Sequence, residues 1–532
     1  MRRGTLLIAA VLLVSACGKG EAMPPDVVTT DTGQVKGEQR DGHLRFQGVP
    51  YARAARWEPP VRAASWSGVR DAAQPGSPCP QVGSSYSETK STNEDCLFAN
   101  VTTPSVHGRK PVLVWVHGDG AIGAGHHFDA ERLARQGDVV VVTFNYRMGV
   151  FGGFGLPGLE HSGEFGLLDQ RAALEWVQRN ISGFGDDPGN VTLFGVSFGA
   201  TAVSAHLIGR EPLFHKAIMH SSFTLVDVPE EAWFPGLEAL PSLAWRPVSE
   251  IQASGAQISS ELGCADVDCL RQLPVETLLD HPQVMNIFQP VGYGGSLLPR
   301  LPAESLEAGE FAQVPILAGA TRDEHNSFVG LFRPDPMSAE DYSRLLREAF
   351  PDRATEIERE YPLSAFASPK QAWARVLTDR MWARSTFQQN TLYAKKAPVY
   401  TFEFADPNAF TDPSVPPELH GANHSSDIDY LFPDSGFAKD RGLSDYMIKA
   451  WTDFARAGTP GWPRFSEGRY VQSLAPGRSG RSTTRPSTDW GSGTRPGGGS
   501  LPWITCQAPA AREPARISRG SSPCSRWSPV SR

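Results

Sequence analysis

"NVTLFGVSFGATAVSAHL", Asn190 to Leu207, is the stretch from which the fold can be read. Val191 to Phe194 is a short apolar run, the pattern of a strand buried on both faces, and Ala200 to Leu207 reads as a helix. Between them lies G-x-S-x-G, with Gly195, Ser197 and Gly199 at the fixed positions. Alone, that string arises often by chance. Placed between a strand and a helix, it describes a nucleophile elbow, a strained turn that lifts the serine hydroxyl clear of the sheet. Ser197 then stands at a helix N-terminus, where N–H groups and the helix dipole favour negative charge. Glycine fits both flanks because a side chain at either would crowd the turn.

Working outward, "PVLVWVHG" (Pro111 to Gly118) and "GDVVVVTFNYR" (Gly137 to Arg147) are further continuous β-branched runs. "GLLDQRAALEWVQRNI" (Gly166 to Ile181) has helical apolar spacing. "KAIMHSS" from Lys216, "VPILAGAT" from Val314 and "APVYTFEF" from Ala397 add three short strands. Strand and helix alternate, which predicts an α/β fold with a large, mostly parallel central sheet and helices on both faces. No internal repeat is present.

The chain has 532 residues, 40% of them hydrophobic and 20% charged, enough to bury a large core. Its formal charge is −8, but the stretch from Pro476 to Arg532 holds nine Arg against Asp489 and Glu513, a net +7 that leaves the rest at −15. An acidic body repels phosphate backbones and anionic lipid, which argues against a nucleic-acid partner and against electrostatic membrane docking.

"MRRGTLLIAAVLLVSACGKG" carries two Arg, an apolar run and then small residues ending at Cys17. This predicts an export signal over residues 1–17, too short for a membrane span, and Val14 to Cys17 resembles a bacterial lipobox with Cys17 as the lipidated residue. The localisation expected is therefore the bacterial cell envelope, or the medium if cleavage is of the ordinary secretory kind. Export permits disulfides, and nearest-neighbour pairing gives Cys79 with Cys96, Cys264 with Cys269 and Cys506 with Cys524. Closing the first loop is worth about 3 kcal/mol in the loop-entropy account. Residues 18–25 read as a linker and 26–475 as the folded domain. Residues 476–532, rich in Gly, Pro, Ser and Arg, read as a disordered tail, either genuine or an out-of-frame translation of a GC-rich gene.

Several segments together resemble the type-B carboxylesterases, the cholinesterase-like family of α/β-hydrolases. "NEDCLFANV" (Asn93 to Val101) is similar to one signature of that family and "NYRMGVFGGFG" (Asn145 to Gly155) to another segment. The nucleophile region follows the family pattern almost position for position, with Asp186 standing where the family favours Gly. The resemblance covers about residues 26–475 and implies the α/β-hydrolase fold, a serine esterase activity on small-molecule esters and no cofactor. It assigns the acid to Glu324 rather than Asp323 in "GATRDEHNSF", and the base to His424 rather than His420 in "GANHSSDIDYLF". Ser197, Glu324 and His424 then occur in α/β-hydrolase order. By this reading His424 takes the Ser197 proton, Glu324 orients the imidazole, and an acyl-serine forms and is hydrolysed.

The same resemblance places the oxyanion hole at the backbone N–H groups of Asp119, Gly120 and Phe198. Here the sequence departs from its family, which has a glycine run where Asp119 stands, Glu where Val196 stands and a small residue at Phe198. Two readings of Asp119 stay open: a carboxylate that opposes the developing oxyanion and slows the enzyme, or one turned onto local backbone amides. His126 and His127 are adjacent with no third ligand, so no metal site is expected. Four N-x-S/T strings, at Asn100, Asn180, Asn190 and Asn423, read as chance in a bacterial chain. The expected function is that of a serine carboxylesterase. The alternatives are a catalytically silent binding module of the same fold, and the same residues acting on carbamates, amides or lactones.

Overall fold

A computed structural model describes residues 26–83, 89–281, 283–432 and 440–477. The export segment with Cys17, the linker 18–25, and the tail beyond 477 with Cys506 and Cys524 lie outside the described residues.

The centre is a 10-stranded sheet. In chain order its strands are β1 (Glu38–Arg40), β2 (His43–Pro50), β3 (Phe98–Thr103), β4 (Lys110–Val116), β5 (Val140–Phe144), β6 (Asp186–Val196), β7 (Lys216–His220), β8 (Ile316–Thr321), β9 (Val399–Phe404) and β10 (Gln472–Leu474). They lie in the order β10-β9-β8-β7-β6-β4-β5-β3-β2-β1. From β10 to β5 every pairing is parallel, and from β5 to β1 every pairing is antiparallel. The sheet is therefore mixed and mostly parallel. Strands β4, β5, β7, β8 and β9 are buried along their whole length, which is why they read as unbroken apolar runs.

Helices supply the cover. Those that bear on the site are α1 (Phe165–Asn180), α2 (Phe198–Ile208), α3 (Asn326–Phe332), α4 (Pro369–Leu377), α5 (Arg384–Ala394) and α6 (Arg441–Ala457). A π-helical turn, Thr378–Ala383, joins α4 to α5. One core cluster packs α6 through Met447, Trp451 and Phe454 against Trp115, Phe194 and Phe402 of the sheet. Two disulfides, Cys79–Cys96 and Cys264–Cys269, match the nearest-neighbour expectation. A parallel sheet gathers the loops that follow its strands along one edge, and in open α/β sheets that carboxyl edge is where ligands bind. Ser197 follows β6, Glu324 follows β8 and His424 follows β9, so all three lie on it.

Candidate active site

Ser197 caps α2 with φ 59° and ψ −124°, a conformation that few non-glycine residues adopt. The strain is held by neighbours: its N–H donates to His220 O at 2.9 Å, and its carbonyl accepts from Thr201 N at 3.0 Å. The glycines flanking it are explained by contact. A Cβ on Gly195 would lie 2.7 Å from Val116 O, and one on Gly199 only 2.1 Å from the same atom. The elbow is wedged against β4 too closely for any side chain.

The structure brings Ser197, His424 and Glu324 together. His424 Nε2 lies 2.9 Å from Ser197 Oγ and His424 Nδ1 lies 2.6 Å from Glu324 Oε2. The other carboxylate oxygen of Glu324 accepts from Thr321 N at 2.8 Å and from Ser221 Oγ at 2.5 Å. Glu324 is wholly buried and fixed at both oxygens. The neighbours rejected from the sequence do other work. Asp323 accepts from Ala422 N at 3.0 Å, which ties the acid loop to the histidine loop, and His420 Nε2 is bonded to Val415 O at 2.9 Å.

Gly118, Asp119 and Gly120 form a tight turn after β4. Gly120 N–H donates to Gly118 O at 3.1 Å, and the residue between them, Asp119, has φ 71°. This is a γ-turn of the rare positive-φ kind. Asp119 Oδ1 accepts from Ala121 N and Ile122 N, each at 3.0 Å. Of the two readings left open, this arrangement matches the second: the carboxylate caps the following amides. The unusual Phe198 also has a structural partner in Gly120, where a Cβ would come within 2.9 Å of the Phe198 ring. Large residue and missing side chain are complementary.

Aromatic rings wall the histidine. Trp382, Phe328 and Phe223 have ring centroids 4.7, 5.1 and 5.8 Å from that of His424. Trp382 stands in the π-helical turn, a local widening of the kind found at functional sites. Arg380 of the same turn clamps both oxygens of Asp227, at 2.9 and 2.6 Å. Burial pushes His325 down to about 3, with the His424 ring contributing in the same direction. Its Nδ1 accepts from Trp382 Nε1 at 3.1 Å, so its Nε2 carries the proton toward Ala232 O. A neutral His325 places no second cation beside His424.

Sequence reasoning passed over the residues that brace the turn after β4. Gln81, inside the Cys79–Cys96 loop, accepts from Gly123 N at 2.7 Å and donates to Gly123 O at 2.9 Å. Asn145 Oδ1 accepts from Gly125 N at 2.8 Å, while its Nδ2 donates to Ser77 O and Cys96 O. Tyr146 OH donates to His117 O at 2.8 Å. Arg147 makes a buried bidentate pair with Asp169, at 2.7 and 2.8 Å. The quoted "NYR" segment was the available signal; its partners, scattered from residue 51 to 169, were not. His126 and His127 pack edge to face, and no group of three metal-ligating side chains occurs among the described residues.

A mixed sheet with an elbow serine after β6, and an acid and a histidine after β8 and β9, defines an α/β-hydrolase. A profile of the carboxylesterase family matches residues 24–474. The chain is 32% identical to a cocaine esterase of Oryctolagus cuniculus over 498 residues, covering 83% of this chain and 91% of the relative. It is 31% identical to a para-nitrobenzyl esterase of Bacillus subtilis, covering 84% and 94%. A pyrethroid hydrolase of Rattus norvegicus is 31% identical, covering 88% and 89%. The chain belongs to the carboxylesterase family, and it is a carboxylic ester hydrolase of the serine type.

Proposed function

We propose that Ser197, His424 and Glu324 are the catalytic triad, and that the N–H groups of Asp119, Gly120 and Phe198 form the oxyanion hole. The observation that carries this is the His424 ring, hydrogen-bonded at once to the strained serine and to a buried carboxylate. Serine is a poor nucleophile at neutral pH, so Nε2 must take the Oγ proton as Oγ attacks the ester carbon. Glu324, accepting from Nδ1–H, holds the tautomer and stabilises the imidazolium. The carbonyl oxygen becomes an oxyanion among backbone donors, with Gly120 N–H exchanging its bond to Gly118 O for the new charge. Imidazolium returns the proton to the leaving alcohol. Water repeats the sequence on the acyl-serine and releases the acid.

The rings of Trp382, Phe328 and Phe223 favour an uncharged acyl group beside His424, since a charge there would be desolvated without a partner. Ester panels of graded acyl charge and length test this, and a preference for charged acyl groups contradicts it. The sequence of residues 1–17 further supports export with lipid attachment at Cys17, anchoring a catalytic domain over 26–475 to the cell envelope. Cys17→Ser should then move the protein from the membrane to the soluble fraction. Unchanged fractionation points to ordinary secretion.

A further inference from the structure

One buried polar group near the site has no part in the chemistry above. His220, the last residue of β7, and Asp427, three positions beyond His424, are both fully buried, with His220 Nδ1 2.6 Å from Asp427 Oδ2. Trp451 of α6 donates Nε1–H to His220 Nε2 at 2.9 Å. An indole nitrogen can only donate, so His220 Nε2 must accept and Nδ1 must carry the proton that binds Asp427. The lone pair of the imidazole is occupied, and His220 cannot serve as a base while the Trp451 bond stands.

What distinguishes this dyad is its place in the chain. His220 O holds Ser197 N at 2.9 Å, and the next residue, Ser221, holds Glu324 Oε1. The side chain of His220, through Asp427, holds the loop that presents His424. Two consecutive residues at the end of one strand thus touch the segments of Ser197, His424 and Glu324. Asp427 Oδ1 is buried with no hydrogen-bond partner among the described residues, so the His220 bond is the side-chain contact that anchors this carboxylate. We propose that His220, locked between Trp451 and Asp427, is a positioning residue that sets the His424 loop in register with Ser197. This rests on the triad reading above.

Catalytic geometry tolerates little error, and a displacement of about 1 Å can cost on the order of 10²-fold in rate. His220→Phe removes both hydrogen bonds at similar bulk. On a short-chain p-nitrophenyl ester, with active sites counted by titration, it should lower kcat by about 10- to 100-fold and leave KM within about threefold. His220→Gln can still donate to Asp427 and accept from Trp451, and should recover kcat to within about fivefold of the parent. An unchanged kcat per titrated site in His220→Phe overturns the proposal, whatever happens to stability. Equal losses in the two variants overturn it as well, since bulk rather than hydrogen bonding then matters. If His220→Phe does not fold, Trp451→Phe, which removes the indole N–H, is read instead: a kcat loss of about threefold or more supports the proposal and no loss rejects it. Ser197→Ala in parallel separates the two readings. Turnover surviving in that variant defeats the triad, whereas an inactive Ser197→Ala beside a fully active His220→Phe defeats positioning alone.

Discussion

Two histidines of this molecule each hold Nδ1 2.6 Å from a buried carboxylate, and only one of them faces a nucleophile. His424 meets Ser197 Oγ with its second nitrogen, while His220 meets the indole N–H of Trp451. The carboxylate contact is the same; the chemistry is decided on the far side of the ring. A hydroxyl can give up its proton to Nε2 as its oxygen attacks an electrophile, whereas an indole N–H is a donor only and leaves Nε2 satisfied. A histidine–carboxylate pair is therefore insufficient evidence for a base. The partner of the remaining nitrogen must be named before a role is assigned.

The largest effects should fall on the His424 side of this comparison. Ser197→Ala and His424→Ala should each lower ester turnover by about 10⁴-fold or more, with little further loss in the double variant, because triad members act as a unit. Steady-state kinetics on purified protein check this, and additive losses break the assignment. Next comes the contrast of carboxylates. Glu324→Asn disrupts more than charge, so the isosteric pair is Glu324→Gln against Asp427→Asn: the first should cost about 10²-fold or more in kcat, the second about tenfold or less. The reverse order would exchange the roles of the two dyads.

A smaller effect is expected at Asp119. Its carboxylate caps Ala121 N and Ile122 N, so Asp119→Gly should change kcat by less than about tenfold, with relief of the positive φ offsetting the lost cap. A larger rise in kcat means that the charge opposes the oxyanion after all. The smallest catalytic effect belongs to Asp186, remote from the triad at the start of β6. It is buried with both oxygens lacking hydrogen-bond partners among the described residues, and burial pushes it up to about 9 against the opposing pull of Lys110. The unfolded chain loses this proton above about pH 4, while the native protein keeps it to about pH 9. The unfolded state thus binds fewer protons across that window, and stability falls as pH rises through it. Asp186→Asn should raise Tm by several degrees at pH 8, with the gain vanishing toward pH 4, and should leave kcat unchanged. A gain independent of pH contradicts a buried, protonated Asp186.

Much of this was legible in the sequence, for identifiable reasons. The fully buried strands β4, β5, β7, β8 and β9 announce themselves as apolar runs, as does the buried second half of β6, and the serine, acid and histidine each lie in a contiguous motif. Strands β1 and β2 leave no such pattern, because β1 is short and mostly exposed and the pairing of β2 shifts register between Phe46 and Val49. The braces were hidden for another reason. Gln81 with Gly123, Arg147 with Asp169, and His220 with Asp427 join positions 22 to 207 residues apart, and pairing at that range is created only by the fold. The π-helical turn carrying Trp382 is likewise absent from any helical period, since it interrupts one.

The central claim is that Ser197 is the nucleophile, and covalent labelling tests it most directly. Parent protein and Ser197→Ala are treated with a fluorophosphonate, and intact and peptide masses are measured. The account predicts one adduct per parent molecule, located on the peptide containing Ser197, and none on Ser197→Ala. An unlabelled but folded parent, or an adduct retained at another residue in Ser197→Ala, contradicts it.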